Sequence, residues 1–241
     1  MVGTRANIIS QLEKQILHLL RFRPASLDSN DGGLALIKEA FPHETFPVGA
    51  IHEFISLAQE ESAAAFGFIA GVVASLMKFG APAIWVSSLA SIFPPSLHLF
   101  GIDPAKVIFI HPKKSKDVLW TLEEALKCAS ISSVIGEIGD ISLIESRRLQ
   151  LAVEESKVTG FLLRRHPKNL TTSFVTRWRI KPLHSQGEHG MPGLGFPKWS
   201  VELMKVKNGK PGAWQMVWRN GRFNLVLPGR LIAEEQERKI V

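Results

Sequence analysis

The chain has 241 residues, 45% of them apolar and 21% charged, with a formal net charge of +7 and one cysteine. That length and apolar content exclude a disordered chain and suit one large domain, or a core with appendages. The charge is uneven: residues 1–157 hold 14 Lys and Arg against 17 Asp and Glu, a net of −3, and residues 158–241 hold 15 against 5, a net of +10.

Ala6–Leu20 predicts a helix with Ile8, Ile9, Leu12, Ile16 and Leu19 on one stripe. Arg21, Arg23 and Pro24 follow its end. An amphipathic start, rather than an apolar segment with a cleavage site, predicts no secretory leader. Ser26–Gly33 is a polar linker, so this helix either packs on its own domain or docks on a partner.

From Gly49 to Lys78 the chain reads as strand, turn and long helix, the layout of a phosphate-binding loop. Such a loop cradles phosphates with glycine amides, a Lys and a Mg²⁺-binding hydroxyl. From Ser56 to Phe66 there is no Gly and no Lys. Glu60 and Glu61 stand where the helix begins, so the protein's own carboxylates occupy the end that favours an anion. An ordinary acid-capped helix gives the same pattern. The apolar run Ala63–Met77 is too short to span a bilayer and predicts a buried helix, with Gly67 and Gly71 marking close packing on a sheet.

Elements then alternate. Strands are predicted at Ala83–Ser87, Val107–Ile110, Ser132–Glu137 and Thr159–Leu163, with helices at Ser115–Ser130 and Ser142–Lys157. Short apolar strands between helices imply a mostly parallel sheet covered on both faces. Cys128, alone in a helical setting, excludes a disulfide framework; it predicts a buried structural thiol and a cytoplasmic location. After Thr171, strands at Ser173–Ile180, Ser200–Lys207, Ala213–Arg219 and Gly221–Leu227 follow without helices, predicting an antiparallel extension. Turn chemistry at Asn208-Gly209, Pro211-Gly212 and Asn220-Gly221 supports it. His184 and His189 lack a third ligand, so no metal site is predicted.

F-P-V-G-A-I-H-E-F at 46–54, S-V-I-G-E-I-G-D at 133–140, R-R-L-Q-L-A at 147–152, T-G-F-L-L-R-R at 159–165 and V-T-R-W-R-I at 175–180 together resemble the ImuA family. These are RecA-like accessory proteins of bacterial mutagenic repair cassettes. The match runs from about Phe46 to Phe223. It implies an α/β RecA-like three-layer core at 46–228 without a phosphate-binding loop, after a helix at 1–25 and a linker and lead-in at 26–45, with a tail at 229–241. It also implies a role in error-prone translesion synthesis beside an ImuB-like polymerase homologue. RecA, an error-prone replicative-type polymerase, single-stranded DNA and further copies of the chain are the other partners in view; no membrane and no cofactor are expected. A SulA-like division inhibitor that binds FtsZ, and a weak DNA-stimulated ATPase, are the competing readings.

Set against an active RecA-type ATPase, the chain keeps Ser62 near the hydroxyl position but supplies no Lys, and carries Ser87 and Ser88 where a Glu is expected. Glu60, Glu61, Ser62 and Glu137 are therefore read as a vestigial nucleotide site, and the chain as non-enzymatic. The DNA- or partner-binding candidates are Arg164, Arg165, His166 and Lys168 after a central strand, Arg177 and Arg179 flanking Trp178, and Lys205, Lys207 and Lys210 in the following hairpin. With Trp178 inward, the two arginines face outward together. Basic and aromatic residues so spaced suit single-stranded nucleic acid, and a solvated face is the plain alternative.

Overall fold

The computed structural model describes residues 34–78, 80–89, 92–185 and 195–226. The expected N-terminal helix with Ile8, Leu12, Ile16 and Leu19, and the tail from 229, lie outside the described residues. Nine strands are described: β1 (Ile51–Ser56), β2 (Ala83–Val86), β3 (Val107–Ile110), β4 (Ser133–Ile138), β5 (Thr159–Arg165), β6 (Thr176–Leu183), β7 (Lys198–Val206), β8 (Gly212–Arg219) and β9 (Arg222–Leu225). They form one sheet in the order β3-β2-β4-β5-β1-β6-β7-β8-β9. Pairing is parallel from β3 through to β6 and antiparallel from β6 to β9. The antiparallel part thus starts with β7, one strand later than the sequence predicts. Residues 166–175 carry the chain back from the end of β5, so β6 enters beside β1 in parallel.

All six residues of β1 and the first six of β5 are buried, as an unalternating apolar strand covered on both faces requires. One face is covered by α1 (Gln59–Met77), the other by α2 (Ser115–Lys127) and α3 (Leu143–Ser156). On α1's side the core is aromatic: Phe54, Phe68, Phe161, Trp178, Trp199 and Phe223 are buried together. On the other side it is aliphatic, built on Ile51, Leu122, Leu149 and Leu162. α3 starts with a capping box: Ser142 Oγ accepts from the Glu145 N–H at 3.2 Å, and Glu145 Oε2 accepts from the Ser142 N–H at 2.8 Å.

α1 has 19 residues, long and apolar enough by composition to cross a bilayer, but 67% of its apolar window is buried inside the fold as a core helix. Its glycines make room for rings. A Cβ on Gly67 would meet Phe100 and Trp199 at 3.1 Å, and one on Gly71 would meet Phe223 at 2.6 Å. The predicted close approach to a sheet is thus an approach to aromatic side chains, of the sheet at Trp199 and Phe223 and of the 3-10 turn Pro94–Phe100 at Phe100.

Two further expectations change. The lead-in before Phe46 belongs to the core: Leu34–Ala40 and Pro42–Glu44 are 3-10 turns that bury Leu34, Ile37, Ala40 and Phe41. Cys128 is exposed rather than buried, because α2 ends at Lys127 and the thiol falls just past it.

Candidate functional site

The connection from β1 to α1 is two residues, Leu57 and Ala58. A phosphate-binding loop needs a longer glycine-bounded turn to wrap its amides around an anion. Here the loop closes on itself. Ser56 Oγ donates to Ala58 O at 2.7 Å and meets Ser62 Oγ at 2.7 Å. Ser62, placed by sequence at the Mg²⁺ hydroxyl position, is buried in that contact. The Leu57 N–H donates to Glu61 Oε2 at 2.9 Å, and Arg179 of β6 grips the same carboxylate in a fork, with Nη2 at 2.7 Å and Nε at 3.2 Å from Oε1. Burial pushes the Glu61 carboxyl up, but the Arg179 guanidinium and the Leu57 N–H outweigh it and hold its pKa below the ordinary value. Glu60 is exposed at the helix start. Ser87, in the expected Glu position, closes a local turn by donating to Leu89 O at 2.7 Å.

A second ion cluster lies further back along β1. Glu53 of β1 is fully buried. Its Oε1 accepts from Arg164 Nη1, and its Oε2 accepts from Arg177 Nε at 2.8 Å and from Thr172 Oγ1 at 3.1 Å. Arg164 is fully buried as well. It also donates to Asn169 O at 2.7 Å and Gly139 O at 3.3 Å, and lies 3.6 Å from Asp140 Oδ1. A third pair joins Arg165 Nη2 to Glu137 Oε2 at 3.0 Å, an ion contact without hydrogen-bond alignment.

The acids and bases that the sequence sorts into two sites are thus partners of each other. Arg164 does not project from the sheet edge; it is inside, because a buried Glu53 requires a counter-charge. Arg177 and Arg179 do lie opposite Trp178, but each bends onto a carboxylate. The remaining candidates separate. His166 and Lys168 are exposed at the end of the parallel strands, where the His166 N–H donates to Ser56 O and the Lys168 N–H to Asp140 Oδ1, both at 2.8 Å. Lys207 and Lys210 are exposed at the opposite edge, their N–H groups donating to Val175 O and Ala40 O at 2.9 Å. Lys205 is half-buried with Nζ donating to Thr172 O at 3.0 Å; burial, then the Arg177 charge, lower its pKa.

Glu53 is the residue that sequence reasoning missed. Its signal was present in I-H-E-F-I: an acid inside an apolar strand. Its neighbour His52 is also fully buried, in a directed chain. Trp178 Nε1 donates to Thr176 Oγ1 at 2.7 Å, the Thr176 hydroxyl meets His52 Nδ1 at 2.8 Å, and His52 Nε2 donates to Pro47 O at 2.8 Å. Burial lowers the His52 pKa to about 3, so the ring is neutral. Among the described residues, no group of three or more His, Cys, Asp or Glu side chains is placed to hold a metal ion.

A mostly parallel sheet between helical layers, continued by antiparallel strands, gives the chain a RecA-like fold. The fold agrees with the crystal structure of the RadB recombinase, at a TM-score of 0.52 and 11% identity over 75% of this chain and 92% of that one. No family model matches the sequence. Protein ImuA of Caulobacter vibrioides strain NA1000 / CB15N is 32% identical over 191 residues, covering 74% of this chain and 78% of the relative, and Protein ImuA of strain ATCC 19089 matches equally. The chain belongs to the ImuA family.

Proposed function

We propose that this chain is a non-catalytic RecA-like accessory protein of DNA-damage-induced, error-prone translesion synthesis, acting in the cytoplasm beside an ImuB-like polymerase homologue. The observation that carries the non-catalytic part is the Glu61 carboxylate. It takes the Leu57 amide and the Arg179 fork, the groups an anion at this corner would need. A triphosphate entering there would meet a closed loop and a fixed negative charge. Family membership supports the repair role. Without nucleotide chemistry, the fold offers rigid surfaces, and a scaffold works by binding. RecA and an error-prone replicative-type polymerase remain partners of the same reading.

The experiment is co-purification. Full-length protein, co-expressed with the ImuB-like protein of the same genome, is expected to hold it through size-exclusion chromatography with no nucleotide added. Complex formation that requires ATP would overturn the nucleotide-independent scaffold.

A further inference from the structure

The antiparallel part of the sheet is covered on one side only. Trp199, Val201, Leu203, Met216, Trp218 and Phe223 bury one side of β7–β9 against the α1 layer. The alternating positions face the other way. The aliphatic core under α2 and α3 includes no residue of β6–β9, so among the described residues that face is bare.

Its charge is one-sided. Lys181, Lys198, Arg219 and Arg222 lie at outward positions of β6–β9, and Glu202 is the acid among them. The register arranges them. Lys181 pairs with Ser200, Lys198 pairs with Val217, and Arg219 pairs with Arg222. Lys181, Lys198 and Arg219 therefore run diagonally, each step one strand across and two residues along, about 7–8 Å. Arg222 pairs directly with Arg219, which adds a second cation at the β8–β9 end of the row. The Arg219 guanidinium also lies 5.1 Å over the Phe196 ring at the rim.

We propose that this face of β6–β9 binds the phosphate backbone of single-stranded DNA. The choice between a nucleic acid and an acidic protein follows from what the face lacks. Protein interfaces centre on buried aromatic and aliphatic anchors and are depleted of Lys. Across β6–β9, Met204 at 39% is the one exposed large hydrophobic residue in the described structure. A row of long cations without apolar anchors fits phosphates and contributes no base readout. A flat sheet face also has no element to enter a duplex groove, which favours a single strand. The surface stands on charge and register; only the choice of DNA as the polyanion rests on the repair role proposed above.

The test is fluorescence anisotropy of a labelled oligothymidylate titrated with the full chain at low salt. Lys181→Glu/Arg222→Glu is expected to weaken binding by at least about tenfold, and Lys181→Gln/Arg222→Gln to flatten the salt dependence by about 1.4 in log K per log salt, since each lost single-strand phosphate contact removes about 0.7. Arg147→Glu/Arg148→Glu on α3 makes the same change in net charge elsewhere and is expected to keep the affinity. A duplex of equal length is expected to bind more weakly. Thermal melts establish that each variant folds, and the Gln pair stands in if the Glu pair does not. The proposal is overturned by unchanged binding in the β6–β9 variants, by an equal loss in the α3 control, or by duplex binding as tight as single-strand binding. Loss of the ImuB-like partner with DNA binding intact would make the face an acidic-protein dock, against the proposal. If the wild-type chain does not bind the oligonucleotide at all, this inference falls while co-purification still decides the scaffold reading.

Discussion

At the residue scale, buried charge is the organising fact. Glu53 and Arg164 are both fully buried, and removing one leaves the other without its partner in a low-dielectric interior. Glu53→Gln is therefore expected to destabilise the protein by about 3–5 kcal/mol in urea unfolding. A loss below about 1 kcal/mol would show that the cluster is solvated and not part of the core. Arg164→Glu would place two carboxylates face to face, so it cannot serve as a neutral surface variant for DNA binding. His52 adds a pH dependence. Its pKa is about 3 when folded and near 6.5 when unfolded, so below pH 6.5 the unfolded chain takes up a proton that the native chain refuses. The stability it contributes is fully present above pH 6.5 and is lost as pH falls towards 3, at up to about 1.4 kcal/mol per pH unit. His52→Gln is expected to flatten this part of the melting profile between pH 6.5 and 4.5; an unchanged slope would mean the ring is protonated in the native state.

At the scale of elements, sequence periodicity and structure agree where one local rule governs. α3, expected at Ser142–Lys157, is found at Leu143–Ser156 behind its Ser142–Glu145 capping box, and β2, β3 and β4 are announced by short apolar runs between turns. Disagreement arises where a distant partner decides. Ser173 to Val175 read as the start of a strand by composition, yet the Ser173 N–H is spent on Ser146 Oγ next to a Thr172 held by Glu53, and β6 starts only at Thr176. By sequence the lead-in 34–45 falls outside the core with the polar linker before it, but Leu34, Ile37, Ala40 and Phe41 join the core and Phe41 packs on Phe46 and Trp178. The candidate site was half legible. Missing Gly and Lys marked the loop, and the charge asymmetry marked the basic region. No local pattern tells that Glu61 meets Arg179, 118 residues later, or that Glu53 meets Arg164, 111 residues later. Those pairings are set by strand order.

At the scale of the whole molecule, the β1–β5, β1–β6 and β4–β5 pairings bring four arginines onto three carboxylates around the corner where a RecA-like protein holds its nucleotide. Four of the 15 Lys and Arg of residues 158–241 are neutralised there, and Lys181, Lys198 and Arg222 lie on the face of the antiparallel strands that is bare among the described residues. In the proposed reading, the protein's own carboxylates fill the nucleotide position. ATP turnover by the purified full-length chain tests it most directly, with and without single-stranded DNA. No release of phosphate above a protein-free blank is expected in either condition. Turnover that Glu137→Gln abolishes would contradict the claim.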